Sequence, residues 1–563
     1  MPRFSPLSSL FPLVVAAVAS AATVQLGDTT ITGAERPGGI EFFGGIPFAE
    51  PPVGKLRFQP PVLKPSLDVP EFNATSFGAS CLQVKIPTFA DIPLPPNLDE
   101  DCLSLNVFRT AGVEANAQLP VLVYDYGGGF IIDAIPGLDP SAIINQSVAR
   151  GTPILFVSFN YRLGPLGFPQ GTEAQRNGAL NLGLRDQIAA LEWIQQNIGA
   201  FGGDKDKVTL FGISAGSVSI NTLYLNAGLE KYVRGAILQS GSTGSVPIFD
   251  ARRRQKDWDN FVSGIEECAS SVATNNTFDC LQRDDIEPQH ILQGISASLT
   301  QAGEQLPWVP TLDGPDGFLP ESPHEMFKKG RFSNIPFIAG NTLDEGTIFT
   351  PQTVPDDEDT LREAIISNFT TRTGNDAQLE KTVDYLLKLY PDIPALGSPY
   401  NTGNQTFNLS SEYKRWAAIT NDVSFHSNRR LWTQSAAKAG VKAYGYLFTY
   451  AELAVQSPSL GVRHGMDVNF VFGFAPIRAS LPTFQPSTFS AKFSEQMIDY
   501  MVSFVTSLDP NDGLGSERPV WPQYTPDNES LLELNGPSTT VIEDNYRSQQ
   551  IDYINCVGEV FGH

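Results

Sequence analysis

The segment GISAG at residues 212–216 is the one G-x-S-x-G in the chain and could carry a nucleophilic serine, Ser214. An apolar run, KVTLFG (207–212), precedes it, and a helix-compatible run follows it. Glycines in this turn let two backbone segments approach closely, and a tight strand-to-helix turn exposes the serine hydroxyl. The alternative is a glycine-rich turn with an incidental serine. It would not explain why a predicted strand precedes the turn and a predicted helix follows it.

A serine hydroxyl is a poor nucleophile near neutral pH and needs a base within hydrogen-bond distance. Of the five histidines, His464 lies in a loop between two glycines and leaves room for an acid between itself and the serine. That is the order serine, acid, histidine of one large class of serine hydrolases. We expect the other four to be surface residues or mobile: His290 and His324 in polar segments, His426 beside two arginines, and the terminal His563.

The acid should follow a strand of the sheet, between the serine and the histidine. The apolar run IPFIAG is such a strand, and NTLDEGT comes directly after it. This segment contains Asp344 and Glu345, and spacing alone does not separate them.

Hydrolysis through a serine also needs two backbone N–H donors that hold the oxyanion. Ala215, directly after the serine, supplies one, and Gly127–Gly129 at the end of an upstream strand suits the others. A phosphate-binding loop is excluded because no Lys-Ser/Thr pair follows these glycines. No His or Cys cluster has the spacing of metal ligands, so we expect no metal and no cofactor.

These residues need a scaffold, and the chain alternates short apolar runs with helical patterns, as parallel-sheet proteins do. Residues 181–198 carry apolar side chains at helical spacing, and 493–508 look like a terminal amphipathic helix. The alternation predicts an α/β fold, with a central, mainly parallel sheet and helices on both faces. The predicted strands are 119–126, 152–160, 207–212, 234–242, 335–342 and 443–450. Helical insertions are expected at about 250–330 and 350–440.

The N-terminus has the layout of a secretory signal peptide over residues 1–21, with one basic residue, an apolar run and small residues before the cleavage point. We therefore expect a secreted, extracellular protein whose single domain spans 22–563. The net charge of −23 argues against binding nucleic acid or an anionic membrane surface. No segment of the sequence is expected to span a membrane.

Five cysteines fit an oxidising compartment. Cys81 with Cys102 and Cys268 with Cys280 is the economical pairing, but other pairings of the four remain open on sequence grounds. Cys556 is left over, either buried or free. Seven N-glycosylation sequons agree with export: Asn73, Asn145, Asn275, Asn368, Asn404, Asn408 and Asn528.

The chain also contains long motifs in a fixed order. They are GIPFAEPPVGKLRFQPP (45–61), EDCLSLNVFR (100–109), YGGGF (126–130), NYRLGPLGF (160–168), the segment 181–217, LDEGT (343–347) and GVRHGMDVNFVFG (461–473). By these motifs the chain resembles the type-B carboxylesterases, the family of cholinesterases and fungal lipases, from about residue 24 to the end.

The resemblance implies the α/β-hydrolase fold and assigns the acid to Glu345, with Asp344 as a neighbour and His464 as the base. It implies the disulfides Cys81–Cys102 and Cys268–Cys280. It also implies two structural ion pairs, Arg57–Glu100 and Arg162–Asp186.

Two positions depart from the family pattern. Ile213 stands where many members have an acidic residue directly before the nucleophile, which argues against cholinesterase activity. Tyr126 stands where a histidine often precedes the glycines, and an aromatic residue there resembles the fungal lipase branch.

The sequence therefore predicts a secreted serine carboxylic-ester hydrolase without a cofactor. Ser214 attacks the ester, His464 acts as base and then as acid, Glu345 orients His464, and an acyl-enzyme forms. The oxyanion is expected to be held by the amides of Gly128, Gly129 and Ala215. The substrate is a small-molecule or lipid ester.

Three alternatives accompany this prediction. A non-catalytic adhesion protein on the same fold is disfavoured because all three triad residues are present, and peptide hydrolysis would use the same triad. A triacylglycerol lipase or steryl esterase stays open. The loop between Cys81 and Cys102 contains Pro87, Pro93, Pro95 and Pro96, which prevent the amphipathic lid helix of interfacially activated relatives. We therefore expect activity on dissolved esters.

Overall fold

The computed structural model describes residues 22–86, 94–134, 138–226, 228–370, 376–453 and 457–563. The predicted signal peptide, residues 1–21, lies outside the described residues. So do residues 87–93, which form the middle of the proline-rich loop between the first two cysteines.

Sixteen strands follow one another along the described part of the chain, most of them short. They are Thr23–Leu26 (β1), Thr29–Thr32 (β2), Ala34–Arg36 (β3), Ile40–Pro47 (β4), Glu71–Asn73 (β5), Ser80–Cys81 (β6), Leu98–Asp99 (β7), Ser104–Thr110 (β8), Leu119–Asp125 (β9), Leu155–Phe159 (β10), Gly203–Ile213 (β11), Gly235–Gln239 (β12), Phe337–Thr342 (β13), Ala443–Phe448 (β14), Ser530–Leu534 (β15) and Thr540–Glu543 (β16).

The α-helices of the described residues occupy the segments between these strands. They are Ser141–Ala149 (α1), Gly164–Gly167 (α2), Gly171–Arg176 (α3), Leu182–Asn197 (α4), Ala215–Asn226 (α5), Gln255–Ser263 (α6), Thr277–Leu281 (α7), Pro288–Gln301 (α8), Pro323–Lys328 (α9), Glu358–Phe369 (α10), Asp376–Leu389 (α11), Ser411–Asn421 (α12), Ser427–Lys438 (α13), Met466–Val471 (α14), Ala475–Ser480 (α15), Thr488–Ser507 (α16) and Ser548–Cys556 (α17).

Eleven of the described strands form one sheet in the order β16-β15-β14-β13-β12-β11-β9-β10-β8-β4-β3. The pairs from β15 to β10 are parallel, and the strands at the two ends pair antiparallel. The sheet is therefore mainly parallel, as the alternation of apolar runs and helical patterns predicts. The loops after β9 and β11 lie side by side, because these strands are neighbours and point the same way.

Helices cover both faces of this sheet. A methyl group on Gly212 would meet Ile220 of α5 at 2.7 Å, whereas the ring of the preceding Phe211 stacks on Phe472 at 5.9 Å. Successive side chains of a strand point to opposite faces. Both faces are consequently dry, which explains why the strands are continuous apolar runs rather than alternating ones.

Element ends differ slightly from the sequence prediction. The strand predicted at 207–212 extends over Gly203–Ile213, and the helix predicted at 493–508 begins earlier, at Thr488. Ser487 caps that helix by accepting a hydrogen bond from the Ser490 N–H at 3.1 Å. None of the described helices is both long enough and apolar enough to cross a bilayer.

The two predicted insertions are helical and carry hydrophobic clusters of their own. Helices α6 to α9 form the first. Helices α6 to α8 pack around the buried Trp258, Phe261 and Trp308, whereas Met326 and Phe327 of α9 pack in the main core. Helices α10 to α13 form the second. Helices α10 to α12 contribute to a cluster that includes Ile554 and Phe561 near the C-terminus, whereas Trp432 of α13 packs in the main core. The end of the chain thus packs into the second insertion.

The covalent and ionic cross-links are those that the family resemblance implies. Disulfides join Cys81 to Cys102 and Cys268 to Cys280, while Cys556 is exposed and unpaired. The buried ion pairs Arg57–Glu100 and Arg162–Asp186 are both present, with shortest N–O distances of 2.6 Å.

Candidate active site

Ser214 lies at the sharp turn between β11 and α5. Its φ angle is +54°, a left-handed backbone conformation that costs free energy for a residue with a Cβ. The turn is held because the Ser214 N–H donates to the Gln239 carbonyl of the next strand at 2.9 Å. Ser214 is half-buried and lines a cavity.

Two glycines permit the close packing around this turn. A Cβ added to Gly216 would lie 2.1 Å from the Asp125 carbonyl oxygen at the end of β9. A Cβ on Gly127 would lie 2.9 Å from the Ser214 Cβ. Larger residues at either position would separate the serine from the glycine loop that follows β9.

That loop has the backbone shape of an anion-binding turn. Gly128 and Gly129 have φ angles of +80° and +61°, and together with Phe130 they form a short 3₁₀ turn. Ala215 is the first residue of α5, where N–H groups have no intrahelical acceptor. The amides of Gly128, Gly129 and Ala215 donate to no described residue.

Two stacked tyrosines fix the start of the glycine loop. The rings of Tyr126 and Tyr161 are 4.7 Å apart. The Tyr126 hydroxyl donates to the Tyr161 carbonyl at 3.2 Å, and the Tyr161 hydroxyl donates to the Tyr126 carbonyl at 3.1 Å. Burial raises the pKa of both phenols well above the usual value, so they remain neutral donors. The Tyr126 side chain therefore helps to fix the position of the glycine loop.

The other end of the glycine loop is anchored to the first disulfide loop. The Asp133 N–H donates to the Gln83 side-chain oxygen at 2.9 Å, and the Gln83 amide group donates back to the Asp133 carbonyl at 2.9 Å. Gln83 also donates to the carbonyl of Cys81 at 3.1 Å. The Cys81–Cys102 disulfide therefore supports the glycine loop as well as the chain itself.

His464 and Glu345 form a buried pair. Nδ1 of His464 lies 2.5 Å from Oε2 of Glu345. The second carboxylate oxygen, Oε1, accepts from the Thr342 N–H at 2.7 Å and from Asn341 at 3.3 Å. The carboxylate is therefore fixed on both oxygens, and it holds the imidazole in one orientation.

Asp344, the other sequence candidate for the acid, faces away from the imidazole. Its carboxylate accepts hydrogen bonds from Ser398 Oγ and the Tyr400 N–H at 2.8 Å and from the Val462 N–H at 2.9 Å. Burial is the main cause that raises the pKa of Asp344, and these donors oppose the rise. Because Val462 is two residues before His464, Asp344 connects the loop that carries His464 to the loop that carries Glu345.

A cavity lies beside Ser214, and two of its aromatic residues contact His464. It is lined by Ser214, Ala215 and Gly129 and also by Phe349 and Phe425. These two rings stack on each other at 5.5 Å, and their centroids lie 5.1 and 5.0 Å from that of His464. Nε2 of the imidazole is buried and has no hydrogen-bond partner among the described residues, so it makes no hydrogen bond to the Ser214 hydroxyl in this structure and its lone pair remains available to accept a proton.

Comparison with known proteins identifies the family. Residues 20–554 match the family model "Carboxylesterase family".

The chain belongs to the carboxylesterase family.

Individual relatives agree with this assignment. The chain is 34% identical to "Secreted lipase 1" of Botryotinia fuckeliana (strain B05.10) over 591 residues, which is 98% of both proteins. It is 32% identical to "Lipase 2" of Geotrichum candidum over 95% of each chain. The crystal structure of Aspergillus niger EstA has a TM-score of 0.81 and covers 97% of this chain and 99% of its own, at 24% identity, which supports the fold. The chain is thus a carboxylic-ester hydrolase with the α/β-hydrolase fold.

Three histidines of this carboxylesterase do not lie where the sequence predicts. His324, His426 and His563 are buried, not surface or mobile residues. The arginines after His426 do not keep it exposed, because both bind the buried Asp544 and their helix stays in the core. Burial is the largest cause that lowers the pKa of His426 well below its usual value. Only His290 is partly exposed, beside Glu267.

The sequence analysis did not identify two residues that lie near the His464–Glu345 pair of this carboxylesterase. Phe349 follows Glu345 by one helical turn, and that spacing was the available signal for it. Asp467 lies buried near the pair and accepts from the Tyr446 hydroxyl at 2.7 Å. Burial and the charge of Glu345 raise the pKa of Asp467 to about 6.

Among the described residues, no cluster of three or more His, Cys, Asp or Glu side chains is arranged to hold a metal.

Proposed function

We propose that this chain is a secreted serine carboxylesterase that works through a Ser214–His464–Glu345 triad. The observation that carries the proposal is the 2.5 Å contact between His464 and Glu345 next to the cavity lined by Ser214. Membership of the carboxylesterase family gives the reaction, and the site gives each residue a role.

The mechanism is a two-step acyl transfer. Nε2 of His464 removes the Ser214 proton while Oγ attacks the ester carbonyl, and Glu345 stabilises the charged imidazole. The amides of Gly128, Gly129 and Ala215 hold the oxyanion. His464 then donates the proton to the departing alcohol and activates a water molecule, which releases the acid and restores the serine.

Secretion is part of the proposal. The layout of residues 1–21 favours a signal peptide. Two disulfides require an oxidising compartment, and one relative is named a secreted lipase. N-terminal sequencing of protein from the culture medium should begin near Ala22, and retention of the whole protein inside the cell would contradict this part.

The decisive variant is Ser214→Ala. We expect ester hydrolysis to fall at least a thousandfold while folding is kept, because the base then has no nucleophile to activate. A fluorescent phosphonate that reacts with serine hydrolases should label the wild type and leave the variant unlabelled. Labelling or turnover of the variant at the wild-type level would remove Ser214 from the mechanism.

A lipase is the second candidate, because relatives in Botryotinia and Geotrichum carry that name. Against it, Pro95 and Pro96 stand in the described part of the first disulfide loop, outside any helix and shortly before β7. We expect the rate on a short-chain ester to show no jump when the ester concentration passes its solubility limit. A sharp increase at saturation would favour the lipase.

A further inference from the structure

A third acidic residue lies behind the His464–Glu345 pair. Asp467 follows His464 by three residues and stands in the first turn of α14, inside the motif GVRHGMDVNFVFG. Its side chain is fully buried. The triad of Ser214, His464 and Glu345 does not use this carboxyl group.

One oxygen of Asp467 is hydrogen-bonded and the other is not. Oδ2 accepts a hydrogen bond from the Tyr446 hydroxyl at 2.7 Å, whereas Oδ1 is buried without a partner among the described residues. Buried polar atoms are nearly always paired, and an unpaired one lowers the free energy of unfolding. Holding the Tyr446 hydroxyl needs only one acceptor, so that contact does not by itself explain a buried carboxyl group.

Tyr446 connects Asp467 to the turn that carries Ser214. It lies on β14 opposite Gly340 of β13, where a Cβ on Gly340 would come within 2.1 Å of the tyrosine ring. The Gln239 side-chain amide donates to the Tyr446 hydroxyl, and the Gln239 carbonyl accepts from the Ser214 N–H at 2.9 Å. Hydrogen bonds through Gln239 and Tyr446 therefore join the nucleophile turn to the start of α14.

Two charges of the site act on Asp467. The negative charge of Glu345 opposes its ionisation, and a protonated His464 favours it. A Coulomb interaction is mutual, so ionised Asp467 in turn stabilises protonated His464. Against α16, α14 packs through uncharged residues such as Phe493 and Ser494.

Asp467 is ionised at the pH at which a neutral imidazole can act as a base. Burial is the main cause that raises the pKa of Asp467 from 3.8 to about 6, and the hydrogen bond from Tyr446 opposes the rise. Because the folded pKa is the higher one, this group lowers the free energy of unfolding once the pH exceeds about 6. Carboxyl groups kept at such a cost are concentrated at functional sites.

We propose that Asp467 is a positioning residue of the esterase reaction, whose negative charge stabilises the imidazolium that forms on His464. The proton passes from Oγ of Ser214 to Nε2 of His464 and later to the departing alcohol, and Asp467 takes up none. Glu345 orients the imidazole by direct contact, and Asp467 adds negative charge from behind. This inference rests on the proposed function, because it concerns the proton transfer between Ser214 and His464.

The test variant is Asp467→Asn, which keeps an oxygen for the Tyr446 hydroxyl and removes the charge. We expect kcat/KM on p-nitrophenyl acetate at pH 8 to fall about tenfold, mainly through kcat, because the charge acts on the transition state. Without this charge the imidazole of His464 loses its proton more readily. The acid side of the pH profile of kcat/KM should therefore move down by about 0.5–1 pH unit.

Asp257→Asn is the matched control. Asp257 is also buried, and burial raises its pKa to about 6. The charges that act on it lie elsewhere, on Glu304, Arg254 and their neighbours. This variant should keep the wild-type pH profile.

Tyr446→Phe separates the charge from the hydrogen bond. It removes the donor that favours ionised Asp467 but leaves the carboxyl group in place. At pH 9 Asp467 is ionised in this variant as well, so the rate should be close to that of the wild type after subtraction of hydroxide hydrolysis. Asp467→Asn should remain about tenfold slower at the same pH.

The outcomes separate the two proposals. An unchanged acid side of the pH profile in Asp467→Asn would overturn the inference, and so would an equal shift in Asp257→Asn. A rate of Tyr446→Phe at pH 9 as low as that of Asp467→Asn would also overturn it, because the hydrogen bond and not the charge would then be the cause. Each of these results leaves the triad in place, whereas a wild-type protein that hydrolyses no ester would contradict the proposed function itself.

Discussion

At the scale of single residues, the two adjacent carboxylates after β13 have separate tasks. Glu345 lies against His464, and Asp344 binds three groups, of which the Val462 N–H belongs to the histidine loop. One carboxylate thus acts on the imidazole directly, and its neighbour holds the loop that carries the imidazole.

Replacing Glu345 with Gln should lower kcat/KM by about 10⁴-fold, because the amide favours the wrong imidazole tautomer and cannot stabilise the charged form. Asp344→Asn should have a smaller effect on the rate but lower the free energy of unfolding by about 1–3 kcal/mol, since an NH₂ group would face N–H donors. Steady-state kinetics and urea unfolding measure the two. A larger loss of rate in Asp344→Asn would mean that Asp344 is the acid.

At the scale of elements, the active site depends on how closely α5 approaches the end of β9. Gly216→Ala places a methyl group 2.1 Å from the Asp125 carbonyl oxygen, a distance that real Cβ atoms do not adopt. We expect loss of ester hydrolysis together with a lower melting temperature. Gly199→Ala is the control, because its nearest neighbouring atom is 3.8 Å away and the residue lies in a 3₁₀ helix. Full activity of Gly216→Ala would show that the turn can open without cost.

The two disulfides are expected to differ in what they support. Removing either by paired Cys→Ser substitution should cost about 3 kcal/mol, since their sequence separations are 21 and 12 residues. Only loss of Cys81–Cys102 should also lower kcat. Gln83, in the loop that this disulfide closes, binds Asp133 at the far end of the glycine loop. Measuring kcat well below each melting temperature separates the effects. Equal kcat in the two variants would exclude the connection.

At the scale of the whole molecule, the C-terminus is part of the core. Phe561 belongs to the hydrophobic cluster of the second insertion, and the final residue, His563, is 2% exposed. Its N–H donates to the Gly558 carbonyl at 3.1 Å. Burial is the main cause that lowers the pKa of His563 from 6.5 to about 3, so the folded protein keeps this imidazole neutral.

This burial predicts a loss of stability in acid. Below pH 6.5 the unfolded chain binds a proton at His563 that the folded chain refuses until about pH 3, so the free energy of unfolding falls as pH decreases through this interval. The slope from one such group approaches about 1.4 kcal/mol per pH unit. His563→Asn should give a flatter slope between pH 6 and pH 4 and an unchanged slope between pH 7 and pH 8. Identical slopes throughout would mean that the imidazole is accessible to solvent.

Much of this fold was predictable because its signals are local. A strand buried on both faces is a continuous apolar run, and the runs around 119–126 and 207–212 identify β9 and β11 without any knowledge of their partners. The G-x-S-x-G turn combines a strand, a helix and two small residues within a few positions, so Ser214 is recognised from the sequence. The α/β-hydrolase fold, the two disulfides and the two ion pairs follow from the family resemblance.

Contacts between distant segments could be decided only by the tertiary structure. Spacing left Asp344 and Glu345 equal, and the family resemblance assigned the acid to Glu345. The contact itself appears only in the structure, where the loop before α14 brings His464 to Glu345. The burial of His426 depends on Asp544, which is more than a hundred residues further along the chain. The same holds for the cavity, since Phe130, Ser214 and Phe425 line it from three distant segments of the chain. A sequence determines which residues prefer to be buried or to bend the chain, but which polar groups end up facing one another depends on how the insertions pack over the sheet.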